Sequence, residues 1–444
     1  MKLLLIAYHF PPDGEIGSVR PYQLARHLPE FGIDCTVLTV EASYAESLDP
    51  KYAPEQQPGV RILRTIVDRT MRDRVLTFWR AGGGDQQRAG AQEEGAHRDK
   101  AESQRPGRRR SALRQWALEW LSFPDLRYGW RSPASVAASR LLANERFDVI
   151  VSTSPPRVAH MVAADLSRRH RIPWIMDLRD PWYSSPTLPG RERRIQAVLQ
   201  GRLYSRCAGY ASVVVTNTRR LRADVTDGQP RARVVCIPNG FDPEVRPAAD
   251  APNAGPVRFS IGHFGQMVGH RTERPFLEGL QRWLESNPSA AGDTTVRFVG
   301  GGTAEARELC ASLGISSTVA FEPRVPRGDV PKLMAQQYVL LLLANNQPLQ
   351  IPGKAYEYLA AGRRVLAYAE RDSATGDLLA SAPGCFIAET AAEIARALSI
   401  FHGEFEAVAD PHVARDDLLA ALSYRCRARD YAALVYEVVG GNAR

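Results

Sequence analysis

Leu3-Leu4-Leu5-Ile6-Ala7-Tyr8 runs into His9-Phe10-Pro11-Pro12-Asp13-Gly14-Glu15-Ile16-Gly17-Ser18-Val19-Arg20, so an apolar run ends in a glycine-bearing turn and enters a helical stretch. The run lacks polar alternation and reads as a strand covered on both faces. Gly14 and Gly17 let the backbone approach a ligand closely, and Ser18 is placed to cap the following helix. A helix starting at a strand end offers unpaired amides and its positive dipole end to an anion. The spacing is not G-x-G-x-x-G, and no acidic residue closes a ribose-binding unit, so a dehydrogenase is disfavoured. An ordinary glycine turn explains the segment equally well. The apolar run is too short for a secretory leader and meets Phe10-Pro11-Pro12 without a small-residue cleavage site.

Outward from this unit the pattern recurs. Apolar runs follow at residues 35–40, 60–64, 149–152, 174–177, 212–216 and 234–237, then at 258–264, 296–299, 319–321, 339–343 and 365–368. Helical stretches lie between them, among them 19–30, 157–169, 274–285 and 304–313. This α/β alternation predicts doubly wound parallel sheets with right-handed crossovers. At 444 residues the chain exceeds one ordinary core. A Pro-, Ala- and Asp-rich stretch at 243–256 reads as a linker. It divides a first Rossmann-like domain, 1–245, from a second, 257–415, facing it across a cleft. The remainder, 416–444, predicts one helix over 416–439 that returns to the first domain. Residues 81–111, rich in Gly, Gln, Arg and Glu, predict a flexible insertion.

Hydrophobic residues make up 44% and charged residues 24%, as in a soluble globular protein. The formal charge of +8 favours polyanionic or phosphorylated partners without choosing among them. No helix-turn-helix, zinc-finger or aromatic RNA-binding signature accompanies it, so nucleic acid is not an expected partner. Cys35, Cys207, Cys236, Cys310, Cys385 and Cys426 show neither C-x-x-C nor zinc spacing. That predicts buried free thiols in a reducing, cytoplasmic setting. No stretch approaches the ~20 apolar residues that span a bilayer.

In open α/β sheets ligands bind beyond the carboxyl ends of strands. Ile351-Pro352-Gly353-Lys354-Ala355-Tyr356-Glu357-Tyr358-Leu359-Ala360-Ala361-Gly362 begins with a proline suited to a helix entry and ends on a glycine suited to its exit. Lys354 and Glu357 share one face, so the helix start and the Lys354 charge suit a diphosphate while Glu357 suits ribose hydroxyls. The plainer alternative is a surface ion pair. Gly262-His263-Phe264-Gly265-Gln266-Met267-Val268-Gly269-His270-Arg271 joins a strand to a Gly-rich loop. The Arg271 guanidinium there suits a leaving diphosphate, or is simply solvated; Arg274 is as well suited to a helix surface. Asp177-Leu178-Arg179-Asp180-Pro181-Trp182 stands at another strand end. Its carboxylates either orient or deprotonate an acceptor hydroxyl, or form an Asp–Arg structural pair with Asp180 as a cap. His160, following Ser154-Pro155-Pro156, faces that cleft or the core.

In this order the segments resemble glycosyltransferase family 4, of the two-domain GT-B fold. The resemblance is carried by Phe10-Pro11-Pro12 to Arg20, Phe123-Pro124-Asp125, Ser154-Pro155-Pro156, Asp177 to Trp182, Ile237-Pro238-Asn239-Gly240-Phe241-Asp242, and Pro352-Gly353-Lys354 through Glu357-Tyr358-Leu359-Ala360. It covers nearly the whole chain except 81–111. It implies retaining transfer of a sugar from a nucleotide sugar, expected to be a UDP-sugar, with no cofactor and no essential metal. The absence of a D-x-D motif agrees. It further implies that Arg271 and Lys354 stabilise the departing diphosphate, that Glu357 binds the ribose, and that Gly14 to Gly17 forms the N-terminal glycine loop. Asp180 is the third catalytic candidate. Gly14, Gly17, Arg324, Val325, Gly353, Glu357 and Tyr358 are the expected donor contacts, with the base near Arg324 and Val325. Arg20, His160, Asp177 and Arg179 are the expected acceptor side. The family often places a donor-sugar glutamate eight residues before the ribose glutamate; here that position is Leu349.

The acceptor is expected to be a carbohydrate or a lipid-linked sugar, as in bacterial polysaccharide or glycolipid assembly. Arg108-Arg109-Arg110, Arg114, Trp116, Leu118, Trp120, Leu121 and Phe123 mix basic and aromatic residues. They suit a peripheral patch on the inner face of an anionic membrane, or a helix buried in the first domain. Two other readings stay open: a nucleotide-sugar epimerase on the same fold, and a non-catalytic nucleotide-sugar-binding partner. Leu349 favours the latter; Lys354 and Glu357 speak against it.

Overall fold

The Leu-, Val- and Ile-rich runs form strands whose two faces are both covered. The computed structural model describes residues 1–45, 48–49, 59–82, 117–182, 190–229, 231–242, 258–267, 272–407 and 412–441. Most of the predicted insertion 81–111, and the predicted linker 243–256 in full, lie outside these residues. In the first sheet β1 (Lys2–Ile6), β2 (Asp34–Val40), β3 (Val60–Thr65), β4 (Val149–Ser154), β5 (Trp174–Leu178), β6 (Val213–Thr216) and β7 (Val234–Cys236) lie in the order β3-β2-β1-β4-β5-β6-β7. In the second, β8 (Phe259–Phe264), β9 (Thr294–Val299), β10 (Val319–Glu322), β11 (Val339–Leu343), β12 (Arg364–Tyr368) and β13 (Cys385–Ala388) lie in the order β10-β9-β8-β11-β12-β13. Every strand pair is parallel.

Each of the twelve predicted strands coincides with an observed one to within two residues at either end. The thirteenth, β13, was not legible: it is four residues long, sits at the sheet edge and buries only Ala388 fully. Strand order reverses between β1 and β4 and again between β8 and β11. These are the points where an open α/β sheet leaves a crevice for ligands.

Helices cover both faces of each sheet. In the first sheet, one core holds Trp130, Ala134, Val158 and Val162; the other holds Leu24, Leu28, Tyr431 and Val435. The predicted single helix 416–439 is two helices, Asp416–Leu422 and Tyr424–Gly441. Ser423 between them is extended, with φ −67 and ψ 147. The break has a packing cause: Leu419 packs into the second domain's core, whereas Ala428, Tyr431 and Val435 pack into the first. One straight helix could not serve both. At the break the chain passes close to residues following β7. Phe241 N–H donates to the Leu422 carbonyl at 3.1 Å, and Tyr424 N–H donates to the Phe241 carbonyl at 3.1 Å.

No described helix is long and apolar enough to cross a membrane. The six cysteines form no disulfide; three are buried as expected, whereas Cys236, Cys385 and Cys426 are only partly so.

The crossing leaves no room at Gly240, where an added Cβ would lie 2.6 Å from the Leu422 carbonyl oxygen. Gly240→Ala is expected to destabilise the protein by about 1–3 kcal/mol, because backbone must move to relieve the clash. Urea unfolding of the variant against the parent measures this; an unchanged midpoint would mean that the crossing yields freely.

Candidate active site

Three adjoining cavities occupy the cleft. The first, 310 Å³, lies between Gly14, Glu15 and Ile16 of the β1 loop and Gly265, Arg324, Val325, Gly353, Lys354 and Glu357 of the second domain. The second, 320 Å³, shares Glu15, Ile16, Gly353 and Glu357 with it and extends to Gly17, Asp180, Asn217, Gln347 and Gln350. The third, 270 Å³, continues past His9, Pro155 and Asp180 into the first domain, where Arg127, Arg157 and Trp182 line it. The switch-point loops thus bring the predicted donor residues Gly14, Gly17, Arg324, Val325, Gly353, Lys354 and Glu357 to one continuous hollow.

The helix Gly353–Ala360 begins at Pro352, which provides no side-chain cap. Lys354, in its first turn, lies with Nζ 3.2 Å from His263 Nε2. The buried His263 places Nδ1 2.9 Å from the Leu341 carbonyl. A carbonyl only accepts, so Nδ1 carries the proton and Nε2 accepts from the Lys354 ammonium. His263 lies on β8, and a histidine in a buried strand gives no local sign that it orients a lysine 91 residues away. Gly265, at φ 108, keeps the loop clear of this ammonium, since an added Cβ there would stand 3.2 Å from Nζ. Lys354 and Glu357 do not pair with each other. Glu357 accepts from Arg327 at 2.9 Å, and Arg324 reaches Glu15 across the cleft at 3.8 Å. Val325, Val330, Phe264 and Val299 supply apolar wall beside them. Tyr358 is corrected: it is fully buried, and its hydroxyl accepts the Phe264 N–H at 2.8 Å, so it braces β8 and lines none of the three cavities.

Of the expected acceptor set, Arg20 and Arg179 line the second cavity, whereas Asp177 and His160 line none of the three, and all four are held in the framework. Arg20 is 2% exposed and Asp177 0%. The guanidinium donates to both Asp177 oxygens (3.1 and 2.9 Å), to the Ile237 and Pro238 carbonyls (both 2.8 Å) and to Asn239 Oδ1 (3.1 Å). Burial pushes the Asp177 carboxyl up, but the Arg20 guanidinium beside it holds it below the usual carboxylate range. Thr153 also donates to it at 2.7 Å, leaving it committed to the fold rather than to an acceptor hydroxyl. Its arginine partner is Arg20, not the neighbouring Arg179. Arg179 donates to the Ser154, Gly17 and Pro155 carbonyls and holds the glycine loop against β4. His160 is fully buried, bonded to Ser152 at 2.7 Å and stacked on Trp182, and burial pushes it down to about 3. It is a neutral core histidine. Ser18 does not cap its helix; its hydroxyl donates to the Glu15 carbonyl at 2.8 Å.

Asp180 does reach the cleft, where it accepts Gln350 Nε2 across the two domains at 2.5 Å. Beside it is His9, whose Nδ1 lies 2.7 Å from Asp13 Oδ2. His9 was not singled out, although a histidine followed four residues later by an aspartate in a strand-end loop was a usable signal. Arg271 lies outside the described residues. Leu349 packs against the first domain's core, and its carbonyl accepts from Thr218 at 2.7 Å. Among the described residues no group of three or more His, Cys, Asp or Glu side chains is arranged to hold a metal ion.

Of the mixed basic and aromatic stretch, Arg108–Arg110, Arg114 and Trp116 fall outside the described residues. Trp120, Leu121 and Phe123 are partly buried and line a separate 710 Å³ groove with Met71, Tyr128 and Arg169.

A family model described as "Glycosyl transferase 4-like domain" matches residues 17–240. No curated protein matches the sequence. Among solved structures, a sucrose-phosphate synthase from Thermosynechococcus elongatus superposes with a TM-score of 0.62 at 13% identity, covering 99% of this chain and 100% of that one. Anabaena HepE in complex with UDP and glucose gives 0.55 at 16%, covering 100% and 98%. WaaG, a glycosyltransferase involved in lipopolysaccharide biosynthesis, gives 0.56 at 15%, covering 100% and 98%. The two sheets have the GT-B arrangement that such structures share.

Arg20→Ala and Asp177→Ala are each expected to cost about 3–5 kcal/mol, since either leaves a buried charge without its partner. The double variant should lose clearly less than the sum of the two. Chemical unfolding of all three proteins gives the cycle; additive losses would mean that the two charges are independent.

Proposed function

The chain belongs to the glycosyl transferase 4-like family, and from that premise we propose that it transfers a sugar from a nucleoside diphosphate sugar to an acceptor hydroxyl, with retention and no essential metal. The observation that carries this reading is Lys354, held by His263 at the start of the helix Gly353–Ala360, with Glu357 one turn further on. The diphosphate lies against Lys354 and the first turn, the ribose hydroxyls against Glu357, and the base beside Arg324 and Val325. The family resemblance assigns Arg271 to the same diphosphate as a second cation. As the sugar–phosphate bond breaks, its electron pair leaves with the diphosphate, and Lys354 stabilises the growing charge. The acceptor oxygen forms the new bond on the same face, and the departing phosphate takes the hydroxyl proton. A UDP-sugar is the donor to test first, since the Anabaena protein of like fold was captured with UDP and glucose. The third cavity, adjoining the other two, supports transfer to an acceptor over epimerisation, which needs no second substrate.

One observation favours a different stereochemical course. His9, paired with Asp13 at the mouth of the acceptor cavity, is built as an oriented base that could take the hydroxyl proton directly and so permit inversion. Proton NMR of the first-formed product decides between the two courses: the donor's anomeric configuration supports retention, and the opposite one sinks it.

A lipid-linked acceptor and peripheral contact with the inner face of a membrane form part of the same reading, supported by the 710 Å³ groove with Trp120, Leu121 and Phe123. Sedimentation with anionic vesicles at low salt tests this part, and a protein left wholly in the supernatant refutes it.

Lys354→Ala should lower kcat by about a hundredfold, the effect of losing one transition-state cation worth about 3 kcal/mol. Thermal stability without ligand should be unchanged, while the stabilisation given by UDP should shrink. Full turnover in a folded variant would remove the donor assignment.

A further inference from the structure

The helix Gly353–Ala360 presents two opposite charges to the cleft, Lys354 and Glu357, one turn apart. Left to themselves, such neighbours on a helix pair with each other. Here each is drawn off by a partner from a different segment. Lys354 Nζ lies 3.2 Å from His263 Nε2 on β8. Glu357 Oε1 accepts from Arg327 Nη2 at 2.9 Å. Arg327 opens the short turn Arg327–Asp329, which leads into the helix Val330–Ala335 after β10. Arg324 and Val325 precede it in the same loop, and Arg324 is tied to Glu15 of the first domain.

The Arg327–Glu357 pair is more sheltered than a surface contact. Its side chains are only 24% and 21% exposed, and both residues line the first and the second cavity. Val325 and Val330 form apolar wall beside them, so the attraction is screened less than between solvated charges. The guanidinium holds one carboxylate oxygen. Among the described residues Glu357 Oε2 accepts no hydrogen bond, which leaves it for a ligand hydroxyl. A carboxylate released from Arg327 can swing towards the ammonium one turn back. That swing would harm the site twice: the ribose would lose its acceptor, and the diphosphate would meet a cation already partly neutralised.

We propose that Arg327 is a positioning residue of the nucleotide site, fixing the Glu357 carboxylate for the ribose hydroxyls and keeping it off the Lys354 ammonium. The proposal rests on the transferase reading, in which Glu357 meets the ribose and Lys354 the diphosphate. It goes beyond that reading by assigning the separation of the two charges to a residue in another loop.

Calorimetric titration with UDP, and with its dideoxyribose analogue lacking both ribose hydroxyls, tests this. The parent is expected to prefer UDP by about tenfold, the effect of a hydroxyl donating to a charged carboxylate. Arg327→Gln should remove most of that preference and weaken UDP itself, whereas Arg327→Lys should restore part of both. Glu357→Gln should lose the preference as well. Adding Arg327→Gln to Glu357→Gln should then weaken UDP clearly less than it does in the parent, because the arginine acts through the carboxylate. The unliganded melting transition reports the fold of each variant; if Arg327→Gln alone lacks one, Arg327→Lys set against Glu357→Gln carries the same comparison. A full preference for UDP in Arg327→Gln overturns the proposal. So does an undiminished loss of UDP affinity in the Glu357→Gln background, which would place the arginine directly on the nucleotide. If UDP does not bind the parent, the donor assignment itself fails, and if the parent binds both compounds alike, the ribose role of Glu357 fails; the proposal falls with either.

Discussion

The cleft depends on one buried ion pair. Arg20 leaves the turn after β1, Asp177 ends β5, and the carbonyls of Ile237 and Pro238 follow β7; a single guanidinium joins all three. Tyr431, from the helix that returns out of the second domain, lies against the same group, its ring centroid 5.5 Å from Cζ. An arginine this deeply desolvated is tolerable only when every donor is used. Here the five N–H groups meet five acceptors. The consequence for function is indirect but large. The pair sets where the glycine loop stands, and that loop is the first domain's wall of the donor cavity.

Charge is handled differently in the two halves of the cleft. On the donor side the cations have partners that a ligand can displace or share: Lys354 rests on a neutral imidazole, Arg327 on Glu357, and Arg324 on Glu15 of the opposite domain. Exchanging such contacts for those of a diphosphate and a ribose costs little, because each pair is partly solvated. Towards the first domain the guanidinium groups of Arg157 and Arg179 sit against rings and carbonyls, with the carboxylates of Asp125 and Asp180 nearby as counter-charges. The first arrangement suits a ligand that comes and goes. Gln350 and Asp180 join the domains between these regions.

The sequence by itself determined the α/β class and the parallel sheets, because strands covered on both faces must be continuous apolar runs; β11, Val339-Leu340-Leu341-Leu342-Leu343, is the clearest case. It also determined which loops face the cleft, since glycines and polar groups collect after β1, β4, β5, β8 and β11, at and beside the switch points. What it could not determine was which polar residue in such a loop points outward. Arg20, Asp177 and His160 have the residue types of an active site, yet all three are buried, because their partners lie up to 411 residues away and only the fold brings them together. Tyr358 and the break at Ser423 were hidden for the same reason: each answers to a packing partner distant in sequence, Phe264 for one and two separate cores for the other. His263 gained its significance in the same way. Periodicity and composition are local and survive in the chain, whereas burial, pairing and exposure are relations between segments that exist only once the two sheets have closed around them.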